Sequence, residues 1–229
     1  MGVRTGRVGQ SVPTEREIAA GLADCGQHHL TLRKDGRALR RASALALDLS
    51  GIAKGFGADE LARVALGNGI GDFVAEIDGE MRVAGTRPDG SAWRVAIALP
   101  VPHLRAAYAG LELGTMAVAT SGDYRHFFET GGRHYSHQID GKTGAPVAQG
   151  LASVTVFHAG SCARADALAS ALMVMGWDAG RDWCAAHNVS AVLLRRNGGE
   201  IDRLDVGPIL ALPTAGATNP APGREARPD

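Results

Sequence analysis

Three stretches of the sequence gather residue types that can hold or transform a charged ligand. The first is Asp48-Leu49-Ser50-Gly51-Ile52-Ala53-Lys54. An acidic residue, a turn of small residues and a lysine at the expected start of a helix bring positive charge and free backbone N–H groups together, which suits phosphate. The same residues also fit a plainer arrangement, with Asp48 capping the helix and Lys54 a solvated surface charge. A lysine in a first helical turn opposes the helix dipole, which tilts the balance toward a ligand.

The second stretch joins Thr120-Ser121-Gly122 to Tyr135-Ser136-His137-Gln138-Ile139-Asp140. A buried strand ending in small polar residues, opposite a strand bearing His137 and Asp140, predicts a polar pocket. A Ser-His-Asp hydrolase is one chemistry to weigh, but the GxSxG nucleophile elbow is missing. A hydrogen-bonded structural histidine suits His137 equally well. The other seven histidines have no convincing metal-ligand spacing. The third stretch is Ala165-Asp166-Ala167-Leu168-Ala169-Ser170, in which Asp166 and Ser170 fall one helical turn apart on an otherwise apolar helix. A carboxylate there is costly to bury alone. With a hydroxyl one turn away it forms a pair of hard oxygen ligands suited to Mg²⁺, which completes its shell with phosphate and water. Asp166 serving the helix dipole and Ser170 filling space is the plainer alternative.

The elements that must position these residues read as a mixture of helices and antiparallel strands. Thr14 and Glu17 form a capping box ahead of a helix that stops at Gly26. Residues 29–32 and 38–41 read as a hairpin, and residues 45–49 as a short strand. The helix that follows carries Ile52, Phe56, Leu61, Val64 and Leu66 as its expected buried stripe. Residues 73–77, 81–84 and 93–99 read as three antiparallel strands, with Pro88-Asp89-Gly90 turning between the last two. Further strands are expected at 116–120, 126–129, 134–139, 153–157 and 191–195, and helices at 163–175 and 179–187. Helices interrupt groups of strands instead of alternating with single ones, so the fold class is α+β, with mixed, mostly antiparallel sheets. No GxGxxG or GxxxxGK[ST] is present.

Composition bounds the function. The chain has 229 residues, 24 basic against 24 acidic. That balance excludes the basic excess typical of nucleic-acid binders. No apolar run is long enough to span a membrane. Residues 1–11 lack the apolar stretch of a secretory signal peptide. Glycine, at 31 residues, is about twice its usual ~7% share, as expected where the backbone turns tightly or approaches something closely. Cys25, Cys162 and Cys184 are far apart and fit small buried side chains. Residues 212–229 read as a disordered tail after a domain expected over 13–211.

In this order, the strings ALDLSGIAKGFGADELA, FVAEIDGEMRVAG, ATSGDYRHFFE, YSHQIDGKTGAPV, SVTVFHAG and ARADALASALMVMG resemble the FAD:protein FMN transferase family, also called the ApbE or thiamine-biosynthesis-lipoprotein family. The resemblance implies an ApbE-like T-fold type architecture that begins part-way into the family's length. It implies FAD as substrate, Mg²⁺ at the pyrophosphate, and an acceptor flavoprotein whose Thr or Ser hydroxyl receives FMN while AMP leaves. By position it carries flavin-nucleotide contacts to Asp48, Lys54 and Ile139, with Ser121 beside them. Metal ligation falls to Asp166, Ser170 and the Gly51 carbonyl. His137 takes the role of base or orienting group for the incoming hydroxyl, with Asp166 the alternative base. The family commonly works in the periplasm or at a membrane surface, and a homodimer is among the assemblies the resemblance allows. Ser170 stands where threonine is usual, Asp78 where glycine is usual, and Gly141 where proline is usual. A Mg²⁺-dependent FAD pyrophosphatase and a weakly active flavin-binding remnant are the alternative functions.

Overall fold

The computed structural model describes residues 14–40, 47–102, 104, 106–124, 127–130, 133–136, 138–147 and 150–207. In chain order the elements begin with α1 (Glu15–Ala23), β1 (Leu30–Leu32), β2 (Ala38–Arg40), α2 (Ala53–Gly67), β3 (Phe73–Ile77) and β4 (Glu80–Ala84). Then come β5 (Trp93–Ala98), β6 (Ala107–Leu113), β7 (Met116–Gly122), β8 (Phe127–Thr130) and β9 (Arg133–Ser136). The last are β10 (Leu151–His158), α3 (Cys162–Met175), α4 (Trp177–His187), β11 (Ser190–Asn197) and β12 (Glu200–Val206).

Six strands form one sheet in the order β12-β11-β10-β7-β4-β3, antiparallel at every pairing. Alternation along the strands sorts their side chains between two cores. Ala117, Ala119, Val154 and Val156 face α3, alongside Ala165, Ala169, Leu172 and Met173. Val118, Phe157, Val192 and Leu194 face the other way, onto Ile97, Leu111 and Leu113 of the β5–β6 ribbon. The molecule is therefore layered as helices, sheet and ribbon, in keeping with the α+β class. The small residues of β7 let α3 lie close to the sheet, and a reversal at Gly176 (φ +82°) leads at once into α4.

The capping box is present: Thr14 Oγ1 accepts from the Glu17 N–H, and the Glu17 carboxylate accepts from the Thr14 N–H at 2.8 Å. That helix ends at Ala23, short of Gly26. The hairpin at 30–40 and the β8–β9 hairpin pair as expected.

Several expectations need correction. Residues 47–49 of the expected 45–49 strand are not a strand, and 45–46 lie outside the described residues. β5 does not extend the β3–β4 meander. It pairs with β6, an unexpected strand whose apolar positions are shortened to Ala109 and broken by Gly110. β12 was also unexpected, because Glu200, Asp202, Arg203 and Asp205 mask its alternation. The largest correction concerns α2. Its buried residues are Gly55, Ala58 and Ala62, while Phe56 is 58% exposed and Ile52, Leu61, Val64 and Leu66 are exposed as well. Close helix packing selects small residues for the contact face, so size misleads a search for the buried stripe. The tail at 212–229 lies outside the described residues. Among the described residues, no helix is long and apolar enough to cross a membrane.

Candidate functional site

The site grows from the way α2 begins. Asp48 Oδ1 accepts the Ser50 N–H at 2.8 Å, closing a short turn, and Leu49 O accepts from the N–H groups of Ile52 and Ala53. Ile52, at the N-cap position, offers no side-chain hydrogen bond. The first turn of α2 therefore has N–H groups that its own sequence does not satisfy. A carboxylate from another helix meets that need: Asp166 Oδ2, on α3, accepts the Gly55 N–H at 3.0 Å. Only glycine allows the approach. A Cβ at position 55 would lie 2.4 Å from the Cys162 carbonyl oxygen and 2.8 Å from Asp166 Cβ.

α3 is capped in return. Asp59, on α2, accepts the Cys162 N–H at 2.8 Å and the Ala163 N–H at 3.0 Å. Ser161 Oγ donates to Asp59 at 3.0 Å and itself accepts the Arg164 N–H. The two helices thus exchange carboxylates at their N-termini, where the dipoles favour negative charge. Arg82, on β4, faces Asp59 at 3.5 Å. This exchange fixes how the start of α2 sits over α3.

Around Asp166 the ligand-capable groups converge. Ser170 Oγ lies 3.1 Å from Ser121 Oγ, which projects from the α3-facing side of β7. Gly51 stands so close that a Cβ there would lie 3.2 Å from Ser170 Oγ. Lys54, one residue before Gly55, directs Nζ to Glu80 Oε1 at 2.5 Å and lies 3.8 Å from Asp78. Burial pushes the Asp166 carboxyl above the ordinary carboxylate range, against the pull of the Gly55 N–H and Lys54. Burial raises Glu80 too; Lys54 opposes this, and the charges of Asp166 and Asp78 add to it. Ser50, through its hydroxyl and its N–H, holds the Asp48 carboxyl below the usual range.

The sequence-derived residues divide accordingly. The structure brings Gly51, Lys54, Ser121, Asp166 and Ser170 together. Asp48 is exposed, accepts the Ser50 N–H and does not cap α2 through its side chain. Ile139 forms an isolated antiparallel bridge with Pro146, and Asp140 closes the following turn by accepting the Lys142 N–H. No described contact joins Ile139 to Asp166. His137 lies outside the described residues. Lys54 is not a solvated surface charge, because its ammonium is paired with a buried carboxylate.

Two residues escaped the sequence reading, Glu80 and Asp59. Glu80 follows a two-residue turn and opens a strand, so its place on the buried face was readable from the parity of FVAEIDGEMRVAG. Asp59 is one helical turn beyond Gly55, the spacing at which Asp166 follows Cys162.

The donor set admits a small hard cation. Among the described residues, no three His, Cys, Asp or Glu side chains gather as a metal cluster. What converges is one carboxylate, two hydroxyls and a close backbone turn. That sparse oxygen set fits Mg²⁺, which takes few protein ligands and keeps the rest for phosphate and water. Cys162 belongs to the packing: burial pushes its thiol up to about 12.

The ApbE family model matches residues 3–193. The FAD:protein FMN transferase of Vibrio cholerae serotype O1 is 42% identical over 184 residues, 80% of this chain and 54% of that protein. The protein of the same name from Haemophilus influenzae is 36% identical over 188 residues, again 80% of this chain and 54% of that one. Among solved structures, the apo flavinyl transferase ApbE of Pseudomonas stutzeri matches with a TM-score of 0.76 and 37% identity, covering 86% of this chain and 60% of that one. The flavin transferase ApbE of Vibrio cholerae matches with a TM-score of 0.77 and 36% identity, covering 87% and 63%. The chain spans about half the length of the curated relatives it matches.

Proposed function

Because this chain belongs to the ApbE family, we propose that its α2–α3 site serves Mg²⁺-dependent transfer of FMN from FAD to a Thr or Ser hydroxyl of an acceptor flavoprotein. The observation that carries this reading is the meeting of Asp166, Ser170, Ser121, Gly51 and Lys54 where two helices abut. Two relatives named FAD:protein FMN transferase support the direction of the chemistry.

Asp166, Ser170 and the Gly51 carbonyl would hold Mg²⁺, which supplies charge neutralisation at the pyrophosphate when bound. Lys54 adds a fixed positive charge for the same anion, and the start of α2 adds its dipole. Ser121 orients the Ser170 hydroxyl through their hydrogen bond. In the proposed reaction the acceptor oxygen forms a bond to the FMN phosphorus. The bond from that phosphorus to the bridging oxygen breaks, and AMP leaves with that oxygen. His137 takes the hydroxyl proton, a role open to an imidazole, whose ring nitrogen can accept a proton near neutral pH. Asp48 and Ile139 complete the flavin-nucleotide contacts in this reading.

The test is incubation of the chain with FAD, MgCl₂ and an acceptor flavoprotein domain, followed by in-gel fluorescence. A covalent FMN adduct that requires Mg²⁺ supports the proposal. Free FMN produced at the same rate with and without acceptor, and no adduct, replaces it with FAD pyrophosphatase activity. Neither product, under conditions where the Vibrio cholerae relative makes adduct, overturns both.

A further inference from the structure

Glu80 opens β4 on the face of the sheet that looks toward the helices, directly opposite Ile77 of β3. It is 1% exposed. One carboxylate oxygen receives Lys54 Nζ at 2.5 Å; the other, Oε2, is buried with no hydrogen-bond partner among the described residues. Each member of this pair is badly placed by itself. A carboxylate loses its hydration at such burial, and an ammonium in the first turn of α2 opposes the helix dipole. The neighbouring link from α2 to β4 reverses the charges, with Asp59 on the helix and Arg82 on the strand. There the helix-borne charge is spent on donors from α3. Lys54 is different: its side chain keeps 37% exposure, it precedes the Gly55 whose N–H Asp166 binds, and its charge acts on that Asp166 carboxylate.

We propose that Glu80 is a positioning residue, holding Lys54 Nζ at the mouth between α2 and α3 so that the ammonium meets the pyrophosphate of a dinucleotide. The assignment rests on the flavin-nucleotide reading above. Glu80 touches no phosphate itself and acts through Lys54. Asp78, 3.8 Å from the same ammonium, stands at φ +50° in the β3–β4 turn and adds a second, exposed carboxylate to the pairing.

Binding of FAD with MgCl₂, followed by flavin fluorescence on the full chain, tests the coupling. Lys54→Met and Glu80→Ala should each weaken binding about tenfold, and Glu80→Gln, which keeps the shape and an acceptor oxygen, less. The double variant should bind no more weakly than Lys54→Met, because Glu80 acts through Lys54. Full additivity of the two losses would overturn the proposal and make Glu80 a structural strut. A second readout needs no flavin. The chain has three lysines, Lys34, Lys54 and Lys142, so mass spectrometry can follow the acetylation of each. Glu80→Ala should raise the Lys54 rate several-fold and leave Lys34 and Lys142 unchanged. If the chain binds no FAD, the flavin reading fails while this measurement still decides whether Glu80 restrains Lys54. An unchanged Lys54 rate overturns the restraint itself.

Discussion

At one junction between α2 and α3, Asp59 receives Ser161 Oγ and the N–H groups of Cys162 and Ala163, and faces Arg82. At the other, Asp166 receives the Gly55 N–H alone among the described donors. The two carboxylates are otherwise alike. Each follows, by one helical turn, a residue whose N–H the other carboxylate binds, and each sits at a partner helix's positive end. Asp59 is saturated and acts as a weld. Asp166 is 2% exposed and pushed upward by burial, with acceptor capacity left over. Unspent capacity on a buried charge costs stability and persists where function needs it.

The widest gap between the junctions should appear on removing the saturated carboxylate. Asp59→Ala strips the α3 cap and leaves Arg82 without its counter-charge, an expected loss of about 3 kcal/mol. That corresponds to a fall of roughly 6–12 °C in Tm by calorimetry. Asp166→Asn, scanned alongside without metal, should leave Tm level or higher; an equal fall in both would erase the distinction. Gly55→Ala comes next. The new Cβ meets the Cys162 carbonyl, which is backbone and cannot swing aside, so the cost should be about 2 kcal/mol in urea melts. A neutral result there would mean the helices separate easily.

The pH response sharpens the same contrast. Asp166 and Glu80 both have raised proton affinity in the folded chain. The folded state then holds more protons than the unfolded state above the ordinary carboxylate value near ~4. Their contribution to stability is therefore greatest on the acid side and declines as pH rises through the raised values. The melting temperature of the metal-free protein, minus that of an Asp166→Asn/Glu80→Gln variant, should fall with rising pH. The smallest effect concerns reactivity. Burial pushes the thiols of Cys162 and Cys184 up to about 12 and about 11, while Cys25 is only half-buried. A thiol reagent should modify Cys25 first in the folded chain, and equal labelling of all three would contradict the packing.

The helices were legible from capping and periodicity, as at Thr14–Glu17 and in the apolar run of α3. Strands were legible where apolar residues alternate or run together, as in β10. The sequence hid β6, with its small residues, and β12, with its charges, since neither presents a strong pattern to a local reading. It also misdirected the burial of α2, because Gly55, Ala58 and Ala62 are selected for close approach and not for apolar size. Within the site, Asp166, Ser170 and Lys54 stood out by type and spacing. Glu80 and Asp59 did not, because each matters through partners at long sequence distance, Glu80 through Lys54 and Asp59 through Cys162 and Ala163.

The central claim is that the unsaturated junction is the working one. It is tested most directly by the rate of the proposed Mg²⁺-dependent FMN attachment to an acceptor domain, measured for the wild-type chain and for Asp166→Asn, whose shape is unchanged. The account predicts a loss of at least about a hundredfold, on the scale of removing a group that stabilises developing charge, in a variant that melts no lower than wild type. Wild-type rates from Asp166→Asn would contradict it.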